Sequence, residues 1–225
     1  MCFSAPASFI VGATLIAAGV ATLQRAQSWR EMPLGAVPLL FAGQQFVEGA
    51  LWLRLESGTD EAAIAWLANC FLLFAEVLWP VLVPVAALLV EPRSRRRHVM
   101  ALFVLWGGAV AGYLLVRMIL SPYGATIDDH HILYTNKFVH PSGSEYIYFI
   151  GVSIPLLLSS HRMILLMGFI CVFSFTFAHY IFTATFVSMW CYFAAVGSLI
   201  VFAHFYAPSD LHGGRRVNAD SKSMV

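Results

Sequence analysis

Charge is what this sequence has least of: Lys, Arg, Asp and Glu make up 11% of its 225 residues, and the formal net charge is +1. That leaves no basic surface on which to hold nucleic acid. The four cysteines, Cys2, Cys70, Cys171 and Cys191, form no CxxC pair and follow no regular spacing, which argues against a disulfide framework or a zinc finger. Both lysines, Lys137 and Lys222, lie outside the apolar blocks, so a retinal Schiff base inside a helical bundle is excluded. A nucleotide-binding glycine loop, an evenly spaced arginine series of the voltage-sensor kind and an internal repeat are all missing. The first apolar block has no basic segment before it and no clear cleavage site, so it is expected to stay as a helix rather than be removed as a signal peptide.

What is present is hydrocarbon. Hydrophobic residues make up 60% of the chain and gather into blocks of about 20, the length that carries a helix across a bilayer core. Blocks near 7–24, 33–54, 62–90, 98–120, 145–160, 163–186 and 188–206 predict an all-α integral membrane protein with about seven transmembrane helices, spanning 1–207. Pro80 and Pro84 inside the third block predict a kink whose freed carbonyls neighbouring helices must satisfy. Gly108 and Gly112, in GxxxG spacing on the fourth helix, predict close backbone approach. The polar segment 121–145 has turn formers at its ends and a β-prone centre, the pattern of a small capping hairpin. The polar stretch 208–225 predicts a flexible tail.

The few charges are placed unevenly. Arg25 and Arg30, the cluster Arg93 to Arg97, Arg162, and then Arg215, Arg216 and Lys222 fall at one set of helix ends, whereas "ESGTDE" and "DDHH" fall at the other. The positive-inside rule then predicts an outside N-terminus and a cytoplasmic C-terminus in a bacterial inner membrane.

Against this background "QQFVEGALW", 44–52, is anomalous. Gln44, Glu48 and Trp52 recur every fourth residue and Gln45 lies three before Glu48, so one helical stripe carries every polar group. A carboxylate at membrane depth costs about 2.5–3.5 kcal/mol on insertion scales, and the stripe is therefore expected to face the bundle interior. Counting residues puts Glu48 and His179 at similar depths, each about 10 Å below the outer boundary. Arg117 and Cys191 belong to the same outer third, Glu76 lies nearer the middle, and His204 is expected to snorkel to the inner headgroups. Above them the outer loop supplies His130, His131, Tyr134 and His140, and the N-terminus supplies Cys2.

Carboxylate, imidazole and thiolate are the donors that bind zinc, iron or copper. Glu48, His131, His140, His179 and Cys2 are the candidate ligands, Glu48 and Glu76 the candidate proton movers, and Gln44, Gln45, Trp52, Arg117, Tyr134 and Trp190 the candidate substrate contacts. Plainer readings stay open beside this one. Glu48 as a neutral acid bonded to Gln44, Gln45, Asn69 or Arg117, Glu76 paired with Arg117, His179 bonded to Thr176 or Thr183, and Cys191 as a small packing residue all satisfy the same pattern.

"MCFSAPASF", "QQFVEGALW", "HILYTNKFVHP", "LLLSSHRM" and "SMWCYFAAVGS" together resemble a family of uncharacterised bacterial multi-pass membrane proteins that begin Met-Cys-Phe-Ser-Ala. The similarity runs from Met1 to about Ala207 and carries no established activity. It implies that Cys2, Gln45, Glu48, Trp52, His131, Tyr134, His140, His161, Trp190 and Cys191 occupy the family's motif positions. Three functions fit: metal-assisted hydrolysis or redox turnover of a lipid-like substrate, a proton-linked carrier or sensor for a small molecule, and a structural subunit of a membrane complex.

Overall fold

The computed structural model describes residues 4–58, 60–92, 95–128, 131–137 and 143–206. Its helices are α1 (Ala5–Arg25), the short α2 (Met32–Gly35), α3 (Val37–Ser57), α4 (Glu61–Leu72), a π-helical turn (Leu73–Leu78), α5 (Trp79–Val90), α6 (Arg95–Leu120), α7 (Ser144–Leu157), α8 (Arg162–Ile181), α9 (Phe186–Gly197) and α10 (Leu199–Tyr206). Five segments are long and apolar enough to cross a membrane: Ala5–Arg25, Glu61–Val90, Arg95–Leu120, Arg162–Ile181 and Phe186–Tyr206. The protein is an α-helical membrane protein. The 21 residues of α3 have the length but carry Gln44, Gln45, Glu48 and Arg54, and α7, with 14 residues, reaches only about 21 Å at 1.5 Å per residue.

The expected hairpin is present. β1 (Gly124–Asp128) pairs antiparallel with β2 (His131–Thr135), Gly124 opposite Thr135 and Asp128 opposite His131. It is sunk into the bundle rather than laid across it. Ala125 and Ile132 join Ala5, Leu51, Trp52 and Ala68 in one apolar cluster, and Ile132 is 0% exposed. Asn69 of α4 fixes the root of the hairpin by mimicking a strand: its Nδ2 donates to Tyr123 O (3.0 Å) and its Oδ1 accepts from Tyr123 N (3.1 Å).

The third apolar block bends, and the two prolines explain how. In the π turn Trp79 N–H donates to Phe74 O, five residues back. The same pattern would pair Ala75 O with the N–H of residue 80, which is proline and has none. Tyr148 of α7 takes that place, its hydroxyl donating to Ala75 O at 2.6 Å. One turn later Pro84 denies Pro80 O its helical donor, and the freed oxygen faces the Cα of Gly107 on α6, where an added Cβ would collide with it. A Cα–H···O contact is what remains available to that carbonyl. The close glycine on α6 is therefore Gly107. Gly108 and Gly112, the expected pair, have nothing within 4 Å of the Cβ position, because their side of α6 points away from the bundle.

Two further expectations are revised. The helix expected over 163–186 ends at Ile181, and Phe182 to Thr185 form a break before α9. There the Thr183 hydroxyl donates to His179 O (3.0 Å), a side-chain bond that competes with helical continuation. His204 does not snorkel: it is 7% exposed and lies edge-on to the His161 ring at 5.5 Å. The segment 208–225, expected as a tail, lies outside the described residues.

Substituting Gly107→Ala should lower stability by about 1–3 kcal/mol, the usual cost of overpacking, whereas Gly108→Ala and Gly112→Ala should change it by less than about 0.5 kcal/mol. Thermal unfolding of the three variants in one detergent checks this. Equal losses at all three positions would contradict the Pro80–Gly107 approach.

Candidate functional site

The polar stripe of α3 faces inward, as its cost in lipid requires. Gln44, Gln45 and Glu48 are 0% exposed and Trp52 is 3% exposed. Glu48 Oε2 accepts from Gln45 Nε2 (3.1 Å), one turn away, and Oε1 accepts from the Ser188 hydroxyl of α9 (2.6 Å). The short second bond has the length of a charge-assisted O–H···O contact. Gln44 is turned elsewhere: its Oε1 accepts from Trp79 Nε1 (2.7 Å), and the Trp79 ring stacks on Phe41 at 3.8 Å. The stripe thus ties α3 to α9 through an acid and to α5 through an amide.

Glu76 occupies the π turn and has a different setting. The Tyr123 hydroxyl donates to both of its oxygens, at 3.1 and 3.3 Å, so both behave as acceptors, and the Arg117 guanidinium acts on it electrostatically. Arg117 is 9% exposed and lies over the Tyr113 ring, 5.8 Å from its centroid. Burial first, and then the Glu76 carboxylate, push the Tyr123 hydroxyl well above the ordinary phenol range. Tyr123 therefore remains a donor throughout the neutral range.

Beside Glu76 opens a cavity of about 730 Å³. Its floor is Ala75, Glu76, Tyr148 and Cys191, its roof is Ile132 and Tyr134 of the hairpin, and its side walls come from α6, the first turn of α7 and the break between α8 and α9. Trp106, Tyr113 and Ile147 at the rim are 44%, 52% and 50% exposed, so the mouth opens at the surface of the bundle between α6 and α7. The shortness of α7 explains the opening. Its Ile147 O accepts from Trp106 Nε1 (3.0 Å), and from Trp106 to the end of α6 at Leu120 is about 21 Å of helical rise, so α6 continues well past the start of α7 and part of its face is left uncovered.

Among the described residues the expected metal ligands Glu48, His131 and His179 are not grouped. His179 lines the cavity, but its ring shares a hydrogen bond with the Tyr146 hydroxyl (3.1 Å) and stacks on Phe175 (5.8 Å). Phe175 and Ala178 take the buried positions on α8 and turn the imidazole toward α7. Glu48 is held by α9 and is not on the cavity wall. His131 stacks on Phe182 at 5.2 Å. Cys2 and His140, together with His130, lie outside the described residues. Among the described residues no three His, Cys, Asp or Glu side chains are grouped to hold a metal ion. Of the expected substrate contacts, Tyr134 and Trp190 line the cavity, whereas Gln44, Gln45, Trp52 and Arg117 stand behind it.

A family model described as a family of unknown function, DUF6629, matches residues 1–212. The chain belongs to that family. The match covers the same stretch as the resemblance seen in the motifs from "MCFSAPASF" to "SMWCYFAAVGS", and it brings no activity with it. No curated protein and no solved structure matches the chain.

Several residues of this family member escaped the sequence reading. Ser188 stands three before Cys191 on the same face of α9, a spacing that marks it as inward-facing. Tyr123 is the one aromatic in the turn "SPYGAT". Tyr148 had no visible signal, because its partner carbonyl exists only through the π turn.

Ser188→Ala should destabilise the fold by about 1–3 kcal/mol by leaving a buried carboxylate oxygen short of a donor. Adding Glu48→Met should recover part of that loss, and thermal unfolding of the single and double variants reads the coupling. For Tyr123 the sign follows from the raised folded-state value: its contribution is complete below the ordinary phenol pKa of about 10 and fades as pH rises beyond it. Stability should therefore fall more steeply above about pH 10 in the native protein than in Tyr123→Phe, as unfolding midpoints across that range will show.

Proposed function

We propose that this DUF6629 protein is a seven-span bacterial inner-membrane protein, N-terminus outside, that binds an amphiphilic small molecule taken from the lipid phase, in the manner of a carrier or sensor. The observation that carries this reading is the cavity of about 730 Å³ whose mouth opens at the bundle surface between α6 and α7 and whose floor bears Glu76. Pockets for drug-sized ligands have volumes of this order and combine apolar walls with a few polar groups that orient the guest. A membrane-embedded carboxylate that faces a cavity marks a functional position by default. Glu76 is suited to it. Tyr123 holds both of its oxygens in place, and a bound guest alters the balance between Glu76, Tyr123 and Arg117.

The proposed orientation is supported by the arginine bias described above. Ala5, at the start of α1, packs in one cluster with the hairpin residues Ala125 and Ile132, so the N-terminal end and the cavity share one side of the bundle, which the arginine bias assigns to the outside. Glu48 serves this reading as a structural tie between α3 and α9, and Trp190 and Tyr134 as walls.

In lipid nanodiscs, the neutral lipophilic dye Nile red should bind saturably to the protein, above the signal of empty discs. Ala109→Trp, which fills the rim of the cavity, should weaken that binding about tenfold with the unfolding midpoint unchanged. A signal that never saturates, or one that Ala109→Trp leaves alone, would count against the cavity as a binding site.

A further inference from the structure

The charge lining the cavity narrows the guest. Glu76 from the π turn and Glu145 from the first turn of α7 both stand on its wall, and among the described residues no lysine or arginine does. Arg117, which acts electrostatically on Glu76, lies over the Tyr113 ring and is not a wall residue. In a water-poor cleft with apolar walls the field of like charges is focused rather than screened. A carboxylate, sulfate or phosphate headgroup entering here meets two acids.

The remaining wall is aromatic. Trp106, Tyr113, Tyr134, Tyr148, Phe186 and Trp190 surround the space, and the electron-rich faces of such rings attract cations, most strongly where water is excluded.

We propose that the cavity between α6, α7 and the β-hairpin binds a lipophilic organic cation, an amine or quaternary ammonium with an apolar body. The proposal rests on the cavity reading above and adds the sign of the ligand's charge. Glu76 and Glu145 supply the counter-charge, the rings supply the cage, and the mouth at the bundle surface admits the apolar body.

Three probes of nearly one shape separate charge from shape: tetraphenylphosphonium, tetraphenylborate and neutral triphenylphosphine oxide, each measured by equilibrium dialysis against the intact protein in zwitterionic nanodiscs, with empty discs subtracted. The cation should bind saturably and at least about tenfold more tightly than the oxide, and the borate should not saturate. Glu145→Gln and Glu76→Gln should each weaken the cation and leave the oxide unchanged. Glu145 has no side-chain partner among the described bonds, so its variant keeps the test valid if Glu76→Gln does not fold. Borate or oxide binding as tightly as the cation, or cation binding indifferent to Glu145→Gln, overturns the proposal while leaving a working cavity. Failure of all three probes to saturate removes the cavity reading as well.

Discussion

Two backbone carbonyls that proline leaves without helical donors organise this bundle. In a hydrocarbon environment an unpaired peptide oxygen costs several kcal/mol, and water is not at hand to relieve it. Ala75 O and Pro80 O must therefore be answered by other helices, and they are: by the Tyr148 hydroxyl of α7 and by the bare Cα of Gly107 on α6. These two contacts fix where α6 and α7 lie against the bent helix. Neither partner is replaceable by a generic apolar residue, since one needs a hydroxyl at the end of a long rigid ring and the other needs no side chain at all.

The cavity follows from that anchoring. Tyr148 lies in the second turn of a helix only 14 residues long, so pinning it to the π turn sets α7 low beside α6 and exposes the upper inner face of α6. The hairpin fills part of the remaining height. Asn69 grips its root and Ile132 is driven to complete burial, but two strands of five residues cannot close the whole gap. The π turn adds the chemical element, because widening the helix by one residue per turn rotates Glu76 out of the regular helical series and toward the space that α7 leaves.

How much of this was legible depended on whether a property belongs to one segment or to a meeting of two. Membrane class, the inward face of the α3 stripe and the hairpin at 121–145 are local properties, fixed by hydropathy, period and turn residues. The need for outside partners at Pro80 and Pro84 was legible too, but their identity was not. Which glycine approaches a neighbour depends on the rotation of α6, and that is set by Pro80, so Gly107 with no motif around it mattered and the GxxxG pair did not. His179 was placed at a sensible depth, yet depth is one coordinate of three. Phe175 and Ala178 decided its azimuth and turned it toward Tyr146 rather than Glu48.

The two buried acids, Glu48 and Glu76, have distinct physical settings, and the distinction lies in their neighbours. Glu48 is enclosed by its own helix and by Ser188, with a short bond that rewards a fixed geometry. Such a group stabilises only while its partners stay put, which suits a tie between helices and ill suits a group that must exchange partners. Glu76 sits at the edge of open volume, held by one phenol on a loop residue and influenced by a cation that is itself lodged on another ring. An acid of this kind can accept a third partner without dismantling the fold. The anomaly in the sequence at Glu48 is therefore the cost of holding the bundle together, whereas the quieter Glu76, carried by a turn that no local pattern announces, is the carboxylate that borders open volume.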